Sequence, residues 1–173
     1  VTEIVIRPGG PADVAGARAI ERSADERFPP GTLPSVEVTD PSAFAGALFL
    51  IAERDGRTVG FALAFEIGDA THLEQLSVSA HAGRAGVGTA LLAAVVDDAS
   101  ARDCTAVTLT TFRSFPWNAP FYQRRGFIEP RTLPSHLVEM LADEARMGFD
   151  PDDRVGLLLP LGRAQRPRRS SPA

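Results

Sequence analysis

His72-Leu73-Glu74-Gln75-Leu76-Ser77-Val78-Ser79, continued by Ala80-His81-Ala82-Gly83-Arg84-Ala85-Gly86-Val87-Gly88-Thr89 and Ala90-Leu91-Leu92, reads as a strand, a glycine-rich turn and the first turn of a helix. Glycines let backbone approach an anion closely, and the N–H groups of a helix N-terminus point at it, so the turn is a phosphate cradle. The strand ahead of it is out of phase. Leu73 and Leu76 are three apart, whereas strand faces alternate every two residues. A β-bulge near Glu74-Gln75 returns Leu73 to the face of Leu76 and Val78. A bulge also splays a strand from its neighbour and leaves backbone groups free for an extended, amide-bearing cofactor arm. His72 and Glu74 are two apart and share a face. A neutral imidazole or a carboxylate there can take a proton from an ammonium nucleophile, directly or through water; a plain solvated strand face is the alternative. A phosphate cradle beside an acid–base strand points to group transfer from a phosphate-bearing cofactor.

Working outward, Leu48 to Arg54 and Thr58 to Ile67 are strands joined by Asp55-Gly56, a type I′ hairpin signal. With the strand at 71–79 they make an antiparallel meander. Gly88, Leu91, Leu92, Val95, Val96 and Ala99 form one apolar face of a helix over 87–102. Thr105 to Phe112 alternates and is β-branched. Strand, helix and strand form a βαβ unit, so 105–112 runs parallel to 71–79, and ligands belong at the carboxyl ends of such strands. Thr2 to Arg7 is a first strand. A helix from Pro11 to about Ala24 follows it, and a short helix is expected over Ser42 to Ala47 behind Asp40-Pro41. Asn118 to Arg125 is a short helix closed by Gly126. Phe127-Ile128 begins a strand. Ser135 caps a helix with Leu137, Leu141 and Ala145 on one face, and Arg154 to Leu161 is the last strand. Residues 25–39 form a proline-broken loop with Phe28 and acids, either a substrate entrance or a connector. The expected organisation is one domain over 1–161 and a basic, disordered tail at 162–173.

Of 173 residues, 44% are hydrophobic and 23% charged, as in an ordinary globular domain. The net charge is −4, and the four arginines of the tail leave −8 on the rest. That argues against a nucleic-acid partner, which needs clustered Lys and Arg, and suits a cationic substrate. Cys104 is the single cysteine, so no intramolecular disulfide forms, and it reads as a small buried side chain. No third ligand stands near His72 and His81, so no metal is expected. The first residues do not read as a charged-then-apolar leader. No apolar run nears the roughly 20 residues of a membrane span, and a cytoplasmic protein without a membrane partner is the expectation.

Arg84-Ala85-Gly86-Val87-Gly88-Thr89 resembles the acetyl-CoA loop of the GNAT superfamily of N-acetyltransferases, whose pattern is Arg/Gln-x-x-Gly-x-Gly/Ala. Here the first position falls on Gly83, with Arg84 one place later. Leu73-x-x-Leu76-x-Val78 matches the family's bulged fourth strand. Asn118-Ala119-Pro120-Phe121-Tyr122-Gln123-Arg124-Arg125-Gly126-Phe127 matches its Asn-x-x-x-Tyr…Gly-Phe segment. The resemblance covers about residues 2 to 130, and the helix near 135–147 looks like an insertion. His72-Leu73-Glu74 and Pro120-Phe121-Tyr122 also resemble local segments of arylalkylamine acetyltransferases, which suggests an amine acceptor.

The resemblance implies a GNAT-like α/β fold: a mixed, mostly antiparallel sheet with a bulged, splayed fourth strand and helices on both faces. It implies acetyl-CoA as co-substrate, held by Leu76, Ser77 and Val78, by Gly83, Arg84, Ala85, Gly86, Val87, Gly88 and Thr89, and by Asn118. It implies that Glu74, with His72 as second candidate, deprotonates the amine, that Tyr122 protonates the leaving sulfur, and that the N–H of Val78 or Leu76 polarises the acetyl carbonyl. A pocket closed by Phe28, Phe112, Phe115 and Trp117 would favour a small apolar amine, with a place in the core as the equal alternative for these rings; an open groove between 25–39 and 131–150 would favour a peptide or protein amine instead. A CoA-binding sensor without turnover and a homodimer stay open.

Overall fold

The structure, a computed structural model, describes residues 3–34, 46–82 and 85–162. Six strands form one sheet in sequential order: β1 (Ile4–Pro8), β2 (Leu48–Arg54), β3 (Arg57–Ile67), β4 (Ala70–Val78), β5 (Ala106–Phe112) and β6 (Arg154–Pro160). All neighbours are antiparallel except β4 and β5. The meander and the βαβ crossover thus stand as expected. Asp55 and Gly56 both take positive φ, 54° and 69°, as a type I′ turn demands.

Among the described residues four helices cover the sheet: α1 (Val14–Asp25), α2 (Val87–Ala101), α3 (Ala119–Gln123) and α4 (Ser135–Met147). A single 3-10 turn at Pro11–Asp13 leads into α1. Arg7 fixes this entry, donating to both oxygens of Asp13 at 2.9 and 2.7 Å and to Glu53 on β2 at 2.8 Å. Alternation along the strands sorts the two faces. Leu50, Ala52, Ala62, Ala64, Leu73, Val107 and Leu109 point to α2, whose Val87, Leu91, Leu92, Val95 and Ala99 complete the main core. Ile51 and Phe61 point the other way and pack under Ala17 and Ile20 of α1. Thr108, Thr110 and Phe112 share that second face and meet α4 and the segment behind it.

Four expectations are corrected. Phe127-Ile128 does not open a strand: Ile128 makes one isolated bridge to Leu158, because Pro130 soon removes the next donor. The 118–125 helix shrinks to Ala119–Gln123, since Arg124 already turns toward Gly126 with its left-handed φ of 92°. Pro134, not Ser135, occupies the N-cap position of α4. The inward face of α4 is also rotated from the expected leucine line: Leu137 is buried, but Ala145 is exposed, and Glu144 turns inward instead. The helix expected over 42–47 falls mostly outside the described residues, and Gly46 and Ala47 are not helical. Cys104 is buried as expected. Among the described residues no helix is long and apolar enough to cross a membrane.

Candidate active site

The site begins with a counting mismatch between β3 and β4. Ala64 pairs with Leu73 and Leu63 pairs with Gln75, so Glu74 is one residue too many. The bulge puts Leu73, Leu76 and Val78 on the α2 face, where all three join the main core. It leaves His72, Glu74, Gln75 and Ser77 for the opposite side. The same distortion parts β4 from β5. Their parallel ladder runs only through Ala70–Ala106, Thr71–Val107 and His72–Thr108, so the β5-facing edge of β4 beyond His72 has no strand partner. Ser79 N–H donates to Val59 on the β3 side at 2.9 Å. Because N–H directions alternate along a strand, those of Val78 and Leu76 face the gap.

The gap opens into a cavity of about 1430 Å³. Ligand pockets commonly hold about 300–1,000 Å³, so this one has room for two substrates side by side. His72, Glu74, Leu76, Ser77, Val78, Gly86, Val87, Gly88, Thr89, Asn118, Tyr122, Phe28, Phe112 and Trp117 all line it. Ala85 is exposed outside the lining, and Gly83 and Arg84 lie outside the described residues. Gly86 has a φ of 82°, a left-handed turn that starts α2. The first intrahelical bond runs from Ala90 to Gly86, so the N–H groups of Val87, Gly88 and Thr89 are the orphan donors of the helix end.

Glu74 stands 35% exposed at the bulge, with Oε2 at 3.7 Å from Nε2 of His72. Partial burial holds its pKa above the ordinary carboxylate range, Glu144 adds to this, and Arg154 opposes it. His72 is not on a solvated face. It is 1% exposed, and burial with the nearby His136 pushes its pKa down to about 4. It is therefore neutral at physiological pH and a weaker base than Glu74. Tyr122 is buried against Phe121 and Phe127, and burial raises its pKa, so it keeps its proton. Asn118 caps α3 and donates from Nδ2 to Thr111 Oγ1 at 2.9 Å, while its buried Oδ1 has no partner.

Phe28, Phe112, Phe115 and Trp117 come together. Phe28 lies 5.3, 5.0 and 5.9 Å from the other three rings, and Phe115 stacks on Trp117 at 5.3 Å. They join the loop after α1 to the loop after β5, and Phe28, Phe112 and Trp117 wall one end of the cavity.

Several site residues escaped the sequence reading. Arg154 forms a fork onto Glu144 at 2.8 and 2.7 Å, Thr110 adds a bond to Glu144 at 2.5 Å, and the guanidinium lies over Phe112 at 4.6 Å and Phe149 at 4.9 Å. The signal was a second stripe on α4: His136, Met140 and Glu144 recur every four residues beside the leucines. Glu21 of α1 lines the cavity at 8% exposure with Oε2 unpartnered. Arg125 bonds Thr89 Oγ1 at 2.6 Å, and both Arg124 and Arg125 line the cavity. They set positive charge by the start of α2, where the loop itself begins on Gly83.

The residues present fit a CoA-type ligand. The unpartnered Asn118 Oδ1 and the open edge of β4 suit an amide-bearing arm, and the α2 N-terminus with the two arginines suits phosphates.

The sequence model of the acetyltransferase (GNAT) family matches residues 18–127. The chain belongs to the GNAT acetyltransferase family, and it is accordingly an acyltransferase by class. Solved structures with the same fold include the ribosomal-protein-S18-alanine N-acetyltransferase of Escherichia coli, 18% identical, with 98% of this chain and 99% of that one covered at a TM-score of 0.69. N-acetylglutamate synthase from Neisseria gonorrhoeae, complexed with coenzyme A and N-acetyl-glutamate, is 22% identical, with 93% and 36% covered at 0.72. PaiA N-acetyltransferase of Thermoplasma acidophilum, in complex with coenzyme A, is 15% identical, with 92% and 99% covered at 0.65. The expected family, mixed sheet and CoA-type donor agree with these findings, and among the described residues no cluster could hold a metal.

Proposed function

We propose that the protein transfers the acetyl group of acetyl-CoA to a primary amine of a small molecule. The observation that carries this reading is the bulge, which aims a carboxylate of raised pKa into a cavity walled at one end by Phe28, Phe112 and Trp117. Acetyl-CoA supplies an activated acyl carbon. The N–H groups of Val78 and Leu76 face the gap and stabilise charge on the carbonyl oxygen. Asn118 Oδ1 accepts from the arm, and Gly86, Val87, Gly88 and Thr89 with Arg124 and Arg125 hold the phosphates. Glu74 takes the proton of the ammonium group, with His72 oriented behind it. A new C–N bond then forms as the C–S bond breaks, Tyr122 gives its proton to the sulfur, and the proton that the new amide nitrogen must shed returns the phenolate to its neutral form. The acceptor's apolar body rests on Phe28, Phe112 and Trp117. An acceptor of modest size follows from that closed aromatic wall, and the acidic groups Glu21, Asp25 and Glu74 around the cavity favour a cation.

Thiol release with acetyl-CoA and a panel of arylalkylamines, amino acids and N-terminal peptides tests the reading. Turnover of apolar small amines above peptides is expected. Turnover confined to peptides would move the acceptor to a protein, and CoA binding without turnover of any amine would make the chain a sensor.

A further inference from the structure

Glu74 must lose its proton after every turnover, and with both substrates in the cavity its solvent-facing side is covered. A second route leads away from the cavity. His72 presents Nε2 to Glu74 and holds Nδ1 at 3.1 Å from Thr108 Oγ1. The same hydroxyl lies 3.1 Å from Nε2 of His136 on α4. Thr108 is 1% exposed and His136 is half-buried; neither lines the cavity. One carboxylate, two imidazoles and one hydroxyl from β4, β5 and α4 thus connect the bulge to the half-buried His136 in the first turn of α4. The matched family segment ends at 127, so the terminal group of this chain of bonds is supplied from beyond it.

We propose that His72, Thr108 and His136 form a proton relay that returns Glu74 to its basic form between turnovers, a proposal that rests on Glu74 being the base. The balance is simple. With His72 protonated on Nδ1, the carboxyl proton of Glu74 passes to His72 Nε2, the Nδ1 proton passes to Thr108 Oγ1, and the Thr108 proton passes to His136 Nε2. His136 then releases its Nδ1 proton to water, which leaves Glu74 as the carboxylate and both rings neutral in the opposite tautomer. Once product has left, the chain resets: a proton from water enters at His136 Nδ1, the Nε2 proton of His136 passes to Thr108, the Thr108 proton to His72 Nδ1, and the Nε2 proton of His72 to water in the emptied cavity, which His72 lines. The 3.7 Å step from Glu74 to His72 is the one that tightens, by rotation of the less confined carboxylate.

The surroundings favour a conduit over a store. Phe65 on β3 covers the His72 ring at 5.4 Å, and the His136 ring stands 6.2 Å away. Burial and His136 disfavour a doubly protonated His72, so the proton moves through without resting there. Glu144 and Arg154 face Glu74, the first raising and the second lowering its pKa. At the outer end, burial lowers the pKa of His136 while Glu139 and Asp69 draw a proton toward it. His136 is thus neutral and ready to accept near pH 7.

Thr108 and His136 act through His72 and do not touch substrate, so they are positioning residues whose loss should leave KM alone. The test compares first-turnover and steady-state rates of the full chain in weak buffer with the best amine of the panel. For His136→Ala the first turnover should keep its rate, while steady-state kcat falls roughly tenfold, less than the about 10²-fold of a group that meets the substrate. Imidazole added to the buffer should restore kcat. Thr108→Ser should behave as wild type and Thr108→Val as His136→Ala. An unchanged steady-state kcat in His136→Ala overturns the relay, as does an equal fall in both phases that imidazole does not repair. Should Thr108→Val fail to fold, the half-exposed His136 still decides. Glu74→Gln separates the two readings: full activity there removes the base itself, whereas an inactive Glu74→Gln beside a fully active His136→Ala removes only the relay.

Discussion

Glu74 and Glu21 line the cavity with pKa values raised chiefly by burial, and they make different predictions. Glu74 is held up first by burial and then by Glu144. As the proposed base, Glu74 must be deprotonated to act, so activity is expected to be lost as pH falls through that raised pKa. The acid limb of kcat/KM should therefore lie above the ordinary glutamate value of about 4.3. Glu74→Gln should lower kcat/KM by about 10²-fold or more and abolish that limb, read from initial rates between pH 5 and 9. Glu21 is raised to about 7, chiefly by burial, with Asp25 adding to it. Its folded pKa exceeds the unfolded 4.5, so its stabilising contribution is complete below 4.5 and is lost as pH rises through 7. At about 1.4 kcal/mol per unit the difference is on the order of 3 kcal/mol. Glu21→Gln should raise Tm at pH 8 and change it little at pH 4; an equal shift at both would remove the burial argument.

Elements explain why some of this was legible and some was not. The bulge could be read because Leu73 and Leu76 break a period of two, and a broken period is local. The hairpin at Asp55-Gly56 and the face of α2 were legible for the same reason. Helix α4 was harder: its inward face includes His136 and Glu144, whose partners Thr108, Thr110 and Arg154 come from β5 and β6. A polar residue counts as outward in any periodicity argument unless its distant partner is known. The Arg154–Glu144 pair is the anchor of α4, with side chains 9% and 14% exposed. Removing one partner of a buried pair strands the other charge, at about 3–5 kcal/mol. Arg154→Ala should cost a large part of that in urea unfolding. It should also move the acid limb upward, because Arg154 opposes the rise of the Glu74 pKa. The close seat of α2 on the sheet depends on Gly60, where an added Cβ would stand 2.9 Å from the carbonyl of Ser77. Gly60→Ala should lower Tm and weaken donor binding together, since the start of α2 is the proposed phosphate end of the cavity.

At the scale of the whole molecule, ligand and fold share one set of contacts. A donor that bridges the open edge of β4, α3 and the start of α2 binds only the folded chain. At about 100 times its Kd it should add about 2.7 kcal/mol of stability, which a thermal shift with acetyl-CoA will read. Net charge acts at the same scale. The four arginines of residues 163–173 leave the remaining chain at −8, and the KM of a cationic amine should rise with ionic strength, whereas a neutral acceptor should be indifferent.

The extra residue in β4 also has an arithmetical meaning. Leu73 faces one way and Gln75 the other, and their partners Ala64 and Leu63 are consecutive. Glu74 is therefore a residue that the parity of the strand does not need. Excising it, rather than substituting it, should leave every remaining side chain on its present face and let the ladder close without a seam. Loss of one residue from the middle of a central strand would then give a chain that still folds, with no base and a narrower cleft beside β5.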